Sequence, residues 1–126
     1  MASPPRPKRL TLGRLAEQLA ADYLEARGYT VVARNWRRPE GELDLVVARD
    51  DLCVFVEVRS RTGVERGHPL ETVNASKRAR VLRAARLYLD EEHVPGAIFR
   101  FDVVGVTFSV HDGPPDIIHI EDAFEA

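Results

Sequence analysis

With 126 residues, the chain is long enough for one core that buries roughly two-thirds of its unfolded surface, and too short for two. Apolar residues at 44% and charged residues at 30%, with a net charge of −2, are the balance of a soluble globular protein and exclude fibrous and disordered classes. Apolar runs such as Val54–Val56 fall far short of the roughly 18 residues of a membrane span, and residues 1–10 hold no apolar signal core, so the expected compartment is the cytoplasm, with no membrane partner.

Residues 1–10, MASPPRPKRL, combine prolines with Arg6, Lys8 and Arg9 and read as a flexible basic arm. A single domain is expected over residues 11–120. From Thr11 to Arg27 the apolar positions Leu12, Leu15, Ala16, Leu19, Tyr23 and Ala26 recur at three-four spacing, and Gly28 stands where a helix would stop. Three strands follow, at Tyr29–Ala33, Leu43–Ala48 and Leu52–Arg59; the brief turns Pro39-Glu40-Gly41 and Arg49-Asp50-Asp51 force neighbours to run antiparallel. Gly63–Pro69 reads as a polar loop. Helical periodicity resumes over Ala75–Glu92 through Val81, Ala84, Ala85, Tyr88 and Leu89, a strand returns at Ile98–Val106, and Asp116–Ile120 reads as a short strand before an acidic tail at 121–126. The order is α-β-β-β-α-β, an α/β fold. The lone cysteine, Cys53, lies in an apolar run and packs as a small hydrophobe.

Charge is uneven along this order: residues 1–89 hold 17 basic and 11 acidic side chains, residues 90–126 hold 1 and 9. Affinity for phosphates follows such local cation excess rather than the whole-chain average.

The third strand places Val54, Val56 and Val58 on one face and Phe55, Glu57 and Arg59 on the other. A buried, ionised Glu57 costs several kcal/mol unless a cation or metal meets it. In the second strand the same alternation sets Leu43, Leu45 and Val47 opposite Glu42, Asp44 and Val46. The two strands are neighbours, so Asp44 and Glu57 can approach across the ladder. A hard divalent cation such as Mg²⁺ would relieve their repulsion and share its remaining positions between water and substrate phosphate. The bland alternative is a Glu57–Arg59 pair on a solvated face.

Lys77 falls near the apolar stripe of the second helix, so its ammonium either aims at the sheet, toward a carboxylate or bound anion, or snorkels at the core rim. Arg80, Arg83 and Arg86 read most simply as a solvated face, alternatively as a contact for a phosphate backbone, with no catalytic role. Arg34-Asn35-Trp36-Arg37-Arg38 mixes guanidinium groups with an aromatic surface, a composition suited to phosphates and an unpaired base, with Arg61 added from the third strand; Trp36 alternatively caps the core. Arg100 and Asp102 share a strand face as a structural pair. The four histidines, at 68, 93, 111 and 119, are expected at the surface. On the helical wheel alone Glu17 is an ordinary boundary residue.

Read in order, Gly13-x-x-x-Glu17, Gly28-Tyr29, Arg34-Asn35-Trp36, Gly41-Glu42-Leu43-Asp44-Leu45-Val46, Phe55-Val56-Glu57-Val58-Arg59, Lys77 and Arg100-Phe101-Asp102-Val103-Val104 resemble the YraN-like family of bacterial proteins, over roughly residues 11–106. That family is similar in turn to archaeal Holliday junction resolvases and to restriction-endonuclease-like nucleases. The resemblance implies an αβββαβ core whose mixed central sheet is flanked by helices. It further implies that Glu17, Asp44 and Glu57 hold a divalent metal, Mg²⁺ or Mn²⁺. Arg59 takes the place of the usual motif lysine; it cannot act as a base but can clamp a phosphate oxygen, and Lys77 is the candidate to supply the ammonium. The implied function is a metal-dependent endonuclease-like protein that binds nucleic acid, DNA first, and hydrolyses phosphodiesters in branched or single-stranded substrates. Its alternatives are a non-catalytic binding module of the same fold and an interaction partner in a DNA-processing complex. The resemblance is compatible with a homodimer, since resolvases act as symmetric pairs on symmetric junctions, but the sequence identifies no interface.

Overall fold

The computed structural model describes residues 11–63, 73–94, 98–111 and 113–125. The basic arm read over 1–10, and all but the first residue of the loop read over Gly63–Pro69, lie outside them. Helix α1 spans Leu12–Ala26 and starts at Thr11, whose hydroxyl accepts the Arg14 N–H at 3.1 Å. It stops at Gly28, which adopts φ 91°; the Gly28 N–H donates to Glu25 O at 3.0 Å and the Tyr29 N–H to Leu24 O at 3.1 Å, the double closure that a left-handed glycine permits. Strands β1 (Thr30–Arg38), β2 (Gly41–Arg49) and β3 (Leu52–Thr62) form an antiparallel meander. Helix α2 (Ala75–Glu91), capped by Asn74, leads to β4 (Ile98–Phe108), which pairs parallel to β3. β5 (Asp116–Ile120) closes the sheet antiparallel to β4, in the order β1-β2-β3-β4-β5. β1 runs on through Arg34-Asn35-Trp36 to Arg38, well past the expected end at Ala33.

The sheet is covered on both faces, which is why β2 and β3 are apolar nearly throughout. On one face α1 sets Ala16, Ala20, Ala21 and Leu24 against Leu45, Val47, Val54, Val56, Val104 and Val106; the alanines let the helix lie close. On the other, α2 buries Val81, Ala84, Ala85 and Tyr88 with Leu43, Val46, Cys53, Phe55, Phe101 and Val103. Contact is closest at Gly41, where a Cβ would collide with the Arg80 carbonyl, so the second helix is pinned across the start of β2. The acidic end returns onto this layer: the Phe124 ring stacks on Phe101 at 5.1 Å and the Ala123 N–H donates to Phe101 O at 2.7 Å. No helix among the described residues is long and apolar enough to cross a membrane.

Candidate functional site

Besides a register shift between Val31 and Ala33 of β1, the sheet is irregular at the level of Asn35 and Asp44, and the candidate site lies there. Asn35, in the middle of β1, has φ 47°, a left-handed conformation that Asn tolerates better than most residues. Its place in the register falls opposite Asp44, since Arg34 pairs with Leu45 and Trp36 with Leu43. Both strands lose their alternation at this step. Ala33 and Trp36, three residues apart, both pack toward α2, as do Leu43 and Val46, whereas Leu45 and Val47 face α1. The expected common face of Leu43, Leu45 and Val47 is therefore split at Asp44.

The β2–β3 ladder ends at the same place. Its last paired residues are Leu45 and Val56; beyond them the Asp44 carboxylate takes over from the backbone and accepts the Val58 N–H at 2.9 Å. Glu57 keeps its expected place on the α2 side, 3% exposed, and Lys77 Nζ lies 3.2 Å from its Oε1. The Asp44 and Glu57 carboxyl groups lie close enough to act on each other's charge. Burial first, then the neighbouring Asp44 charge, pushes Glu57 up to about 8, against the opposing pull of Lys77. Burial also raises Asp44, with the Val58 N–H opposing and the Glu17 charge adding to the rise. Both shifts favour a carboxyl pair that shares a proton.

Clefts lie on both sides of the sheet, one lined by Glu57 itself and one by Asn35 and Leu45, the register partner and chain neighbour of Asp44. Toward α1, a cleft of about 210 Å³ is lined by Arg14, Glu17, Gln18, Arg34, Asn35 and Leu45, and Glu17 Oε2 is buried there without a hydrogen-bond partner among the described residues. Toward α2, a pocket of about 30 Å³ is lined by Glu42, Glu57, Lys77, Arg80 and Val81. A proton shared between two crowded carboxylates marks a place where a hard cation would relieve the same repulsion, and Mg²⁺ commonly takes only one or two carboxylates, filling its other positions with water and phosphate. Asp44 and Glu57 fit that mode. Glu17 acts on Asp44 through its charge, but among the described residues no three His, Cys, Asp or Glu side chains assemble as a ready-made cage.

The residues read as nucleic-acid contacts are largely engaged within the chain. Arg34 meets Gln18 at 3.2 Å and Glu25 at 3.7 Å, Arg37 meets Glu42 at 3.3 Å, and Arg38 meets Glu91 at 2.8 Å. Trp36 packs its edge on Tyr88 at 5.5 Å and carries Arg38 over its ring at 4.2 Å, so the core-capping alternative describes it. Arg59 and Arg61 are half-buried on β3.

Two residues escaped the sequence reading. Asn35 was quoted only as part of a motif. His119, expected at the surface, is instead 6% exposed and sits 2.7 Å from Asp102 Oδ2, in a network with the expected Arg100–Asp102 pair. The signal for His119 was Asp102 itself: a carboxylate inside an apolar strand needs more than one donor.

Comparison with known proteins agrees with this layout over most of the chain. Residues 16–106 match the profile described as uncharacterised protein family UPF0102. A UPF0102 protein of Clostridium kluyveri is 40% identical over 114 residues, 90% of this chain and 93% of the relative. One from Pelotomaculum thermopropionicum is 43% identical over 116 residues, 92% and 97% of the two chains, and one from Chloroflexus aurantiacus is 46% identical over 104 residues, 82% and 83%. The matched span contains the kinked hairpin, both carboxylates and Lys77, and the chain belongs to the UPF0102, or YraN-like, family.

Proposed function

We propose that the protein is a cytoplasmic, metal-dependent nuclease-like protein that binds nucleic acid, DNA first, and hydrolyses a phosphodiester. The observation that carries this reading is the meeting of Asp44 and Glu57 at the fork between β2 and β3, with the Lys77 ammonium against them. Asp44 and Glu57 would hold Mg²⁺ or Mn²⁺ in place of the shared proton, with Glu17 as the further carboxylate in the α1 cleft. When bound, such an ion lowers the pKa of a water and neutralises charge that builds on the phosphate. The chain's own residues do the rest. Lys77, its Nζ 3.2 Å from Glu57 Oε1, would be placed to hold a non-bridging phosphate oxygen beside the ion. Arg59, two residues beyond Glu57 on the same strand, stays charged and can clamp the phosphate but cannot take a proton from water. The Val58 N–H, donating to Asp44 Oδ2 at 2.9 Å, fixes the Asp44 carboxylate at the fork.

A titration of Mg²⁺ or Mn²⁺ against four-way junction, flap and single-stranded DNA tests the reading. Metal-dependent cleavage is expected, abolished in Asp44→Ala and in Lys77→Ala without loss of fold. Salt-sensitive binding with no cleavage would leave the non-catalytic module, and neither activity would leave the interaction partner.

A further inference from the structure

Lys77 opens a run of cations on α2 that one carboxyl pair does not require. The helix carries Lys77, Arg78, Arg80, Arg83 and Arg86 and no acid before Asp90. A solvated helix face normally sets opposite charges four residues apart; here Ser76 and Ala84 flank Arg80 at that spacing, and Ala79 and Leu87 flank Arg83. Arg86 has Asp90 at that spacing, so Arg80 and Arg83 are the cations of the row that lack a helical counter-charge, and Lys77 and Arg78 in the first turn also oppose the dipole.

Other arginines have found internal partners. Those of β1 meet acids, Arg100 meets Asp102, and Arg78 donates to Val73 O at 3.0 Å. Arg80, Arg83 and Arg86 form no ion pair among the described residues and are exposed. Arg80 shares the pocket of Glu57 and Lys77, and Arg83 and Arg86 line the adjoining cleft, where Glu40 and Asp90 mark its acidic end.

We propose that Arg80, Arg83 and Arg86 form the phosphate track of a nucleic-acid strand that leads one phosphodiester to the Asp44–Glu57 pair beside Lys77; this rests on the nuclease reading and adds the surface on which the strand lies. A row at three-residue spacing is inclined about 45° to the helix axis, so the strand crosses α2 obliquely. Arg80 to Arg86 covers about 9 Å of axis, enough for about three phosphates of one strand. Guanidinium groups suit phosphate through paired donors. A membrane surface is disfavoured because the apolar side chains Val81, Ala84, Ala85 and Tyr88 are spent in the core.

Fluorescence anisotropy with labelled DNA and RNA oligonucleotides, single-stranded and duplex, over a salt series tests the track, with circular dichroism to confirm the fold. R80Q/R83Q should lower affinity at least tenfold and reduce the slope of log K against log salt by about 1.8 on duplex or about 1.4 on single strands; R37Q/R38Q, on the competing β1 surface, should move it less than half as much. A loss shared by DNA and RNA, or confined to one, supports the track and identifies the polymer. An unchanged slope in R80Q/R83Q, a larger loss in R37Q/R38Q, absence of binding by the unaltered protein, or tighter capture by phosphatidylserine vesicles overturns it. The two readings separate cleanly: if R80Q/R83Q loses binding and no form of the protein ever cleaves, the track stands and hydrolysis falls; if R80Q/R83Q binds and cleaves like the unaltered protein, the reverse holds.

Discussion

Glu57 and Asp102 lie on neighbouring strands, both buried, and are served in opposite ways. Asp102 receives two bonds from Arg100 at 2.8 Å, lies 2.7 Å from His119 Nε2 and accepts the Asp122 N–H at 3.0 Å. Burial alone would raise its pKa, yet these donors hold it below the usual carboxylate value. Arg100 also donates to Tyr29 Oη at 2.8 Å, so this one carboxylate ties β4, β5, the residues after β5 and the exit of α1 together. Glu57 has Lys77 as its cation and a second acid pressed against it. A saturated carboxylate fastens the fold. One left short of donors at the wall of a pocket is available to something else, as perturbed groups at working sites are.

The contrast is broken most strongly at Asp102. Asp102→Ala leaves Arg100 without its partner and should cost about 3–5 kcal/mol, read as a fall in the denaturant midpoint. Glu57→Gln should have the opposite sign: it removes the charge that burial and Asp44 disfavour, and should raise metal-free stability at pH 8 by about 1–2 kcal/mol. A loss at Glu57 as large as that at Asp102 would make both of them structural pairs.

The pH dependence sharpens the same contrast. Between pH 4.5, the ordinary Glu value, and about 8, the unfolded chain has released the Glu57 proton while the folded chain keeps it, so metal-free stability falls as pH rises through this window. Asp102 works the other way: its contribution is present above 3.8 and is lost as pH falls below that value. Denaturation curves from pH 5 to 8.5 should show the first slope, and Glu57→Gln should remove it. Added Mg²⁺ should flatten it too, since a cation replaces the proton. A slope indifferent to both would separate Glu57 from it.

Much of this was legible in the chain. The αβββαβ order follows from apolar period and turn residues, and the position of Glu57 follows from strict alternation in β3, which holds because β4 pairs with that strand along its whole length. Lys77 was readable from the helical wheel. Asp44 was readable as an anomaly but not as a geometry, because a period of two carries Leu43 and Leu45 to the same face. What splits them is a backbone state opposite Asp44 that no hydrophobic pattern encodes. Arg80, Arg83 and Arg86 were visible only as charge; that they form no ion pair among the described residues depends on which acids the fold brings near them. The oversight at His119 is different in kind, since the reasoning that demanded a partner for Glu57 applied equally to Asp102.

Asn35 offers the smallest and most discriminating test. A left-handed residue inside a strand costs an ordinary side chain about 1–2 kcal/mol, and strain of this kind persists where the surrounding structure imposes it. At Asn35 the surroundings are the paired break in β1 and β2 that turns Asp44 toward Glu57. Asn35→Gly accepts φ 47° without a Cβ penalty and should retain stability within about 0.5 kcal/mol. Asn35→Ala should lose about 1 kcal/mol and, by relaxing the kink, draw Asp44 away from Glu57. The pH slope between 5 and 8 should therefore weaken in Asn35→Ala and persist in Asn35→Gly. Equal slopes in the two variants would mean that Asp44 is held by the Val58 N–H alone, and that the conformation of β1 merely accommodates it.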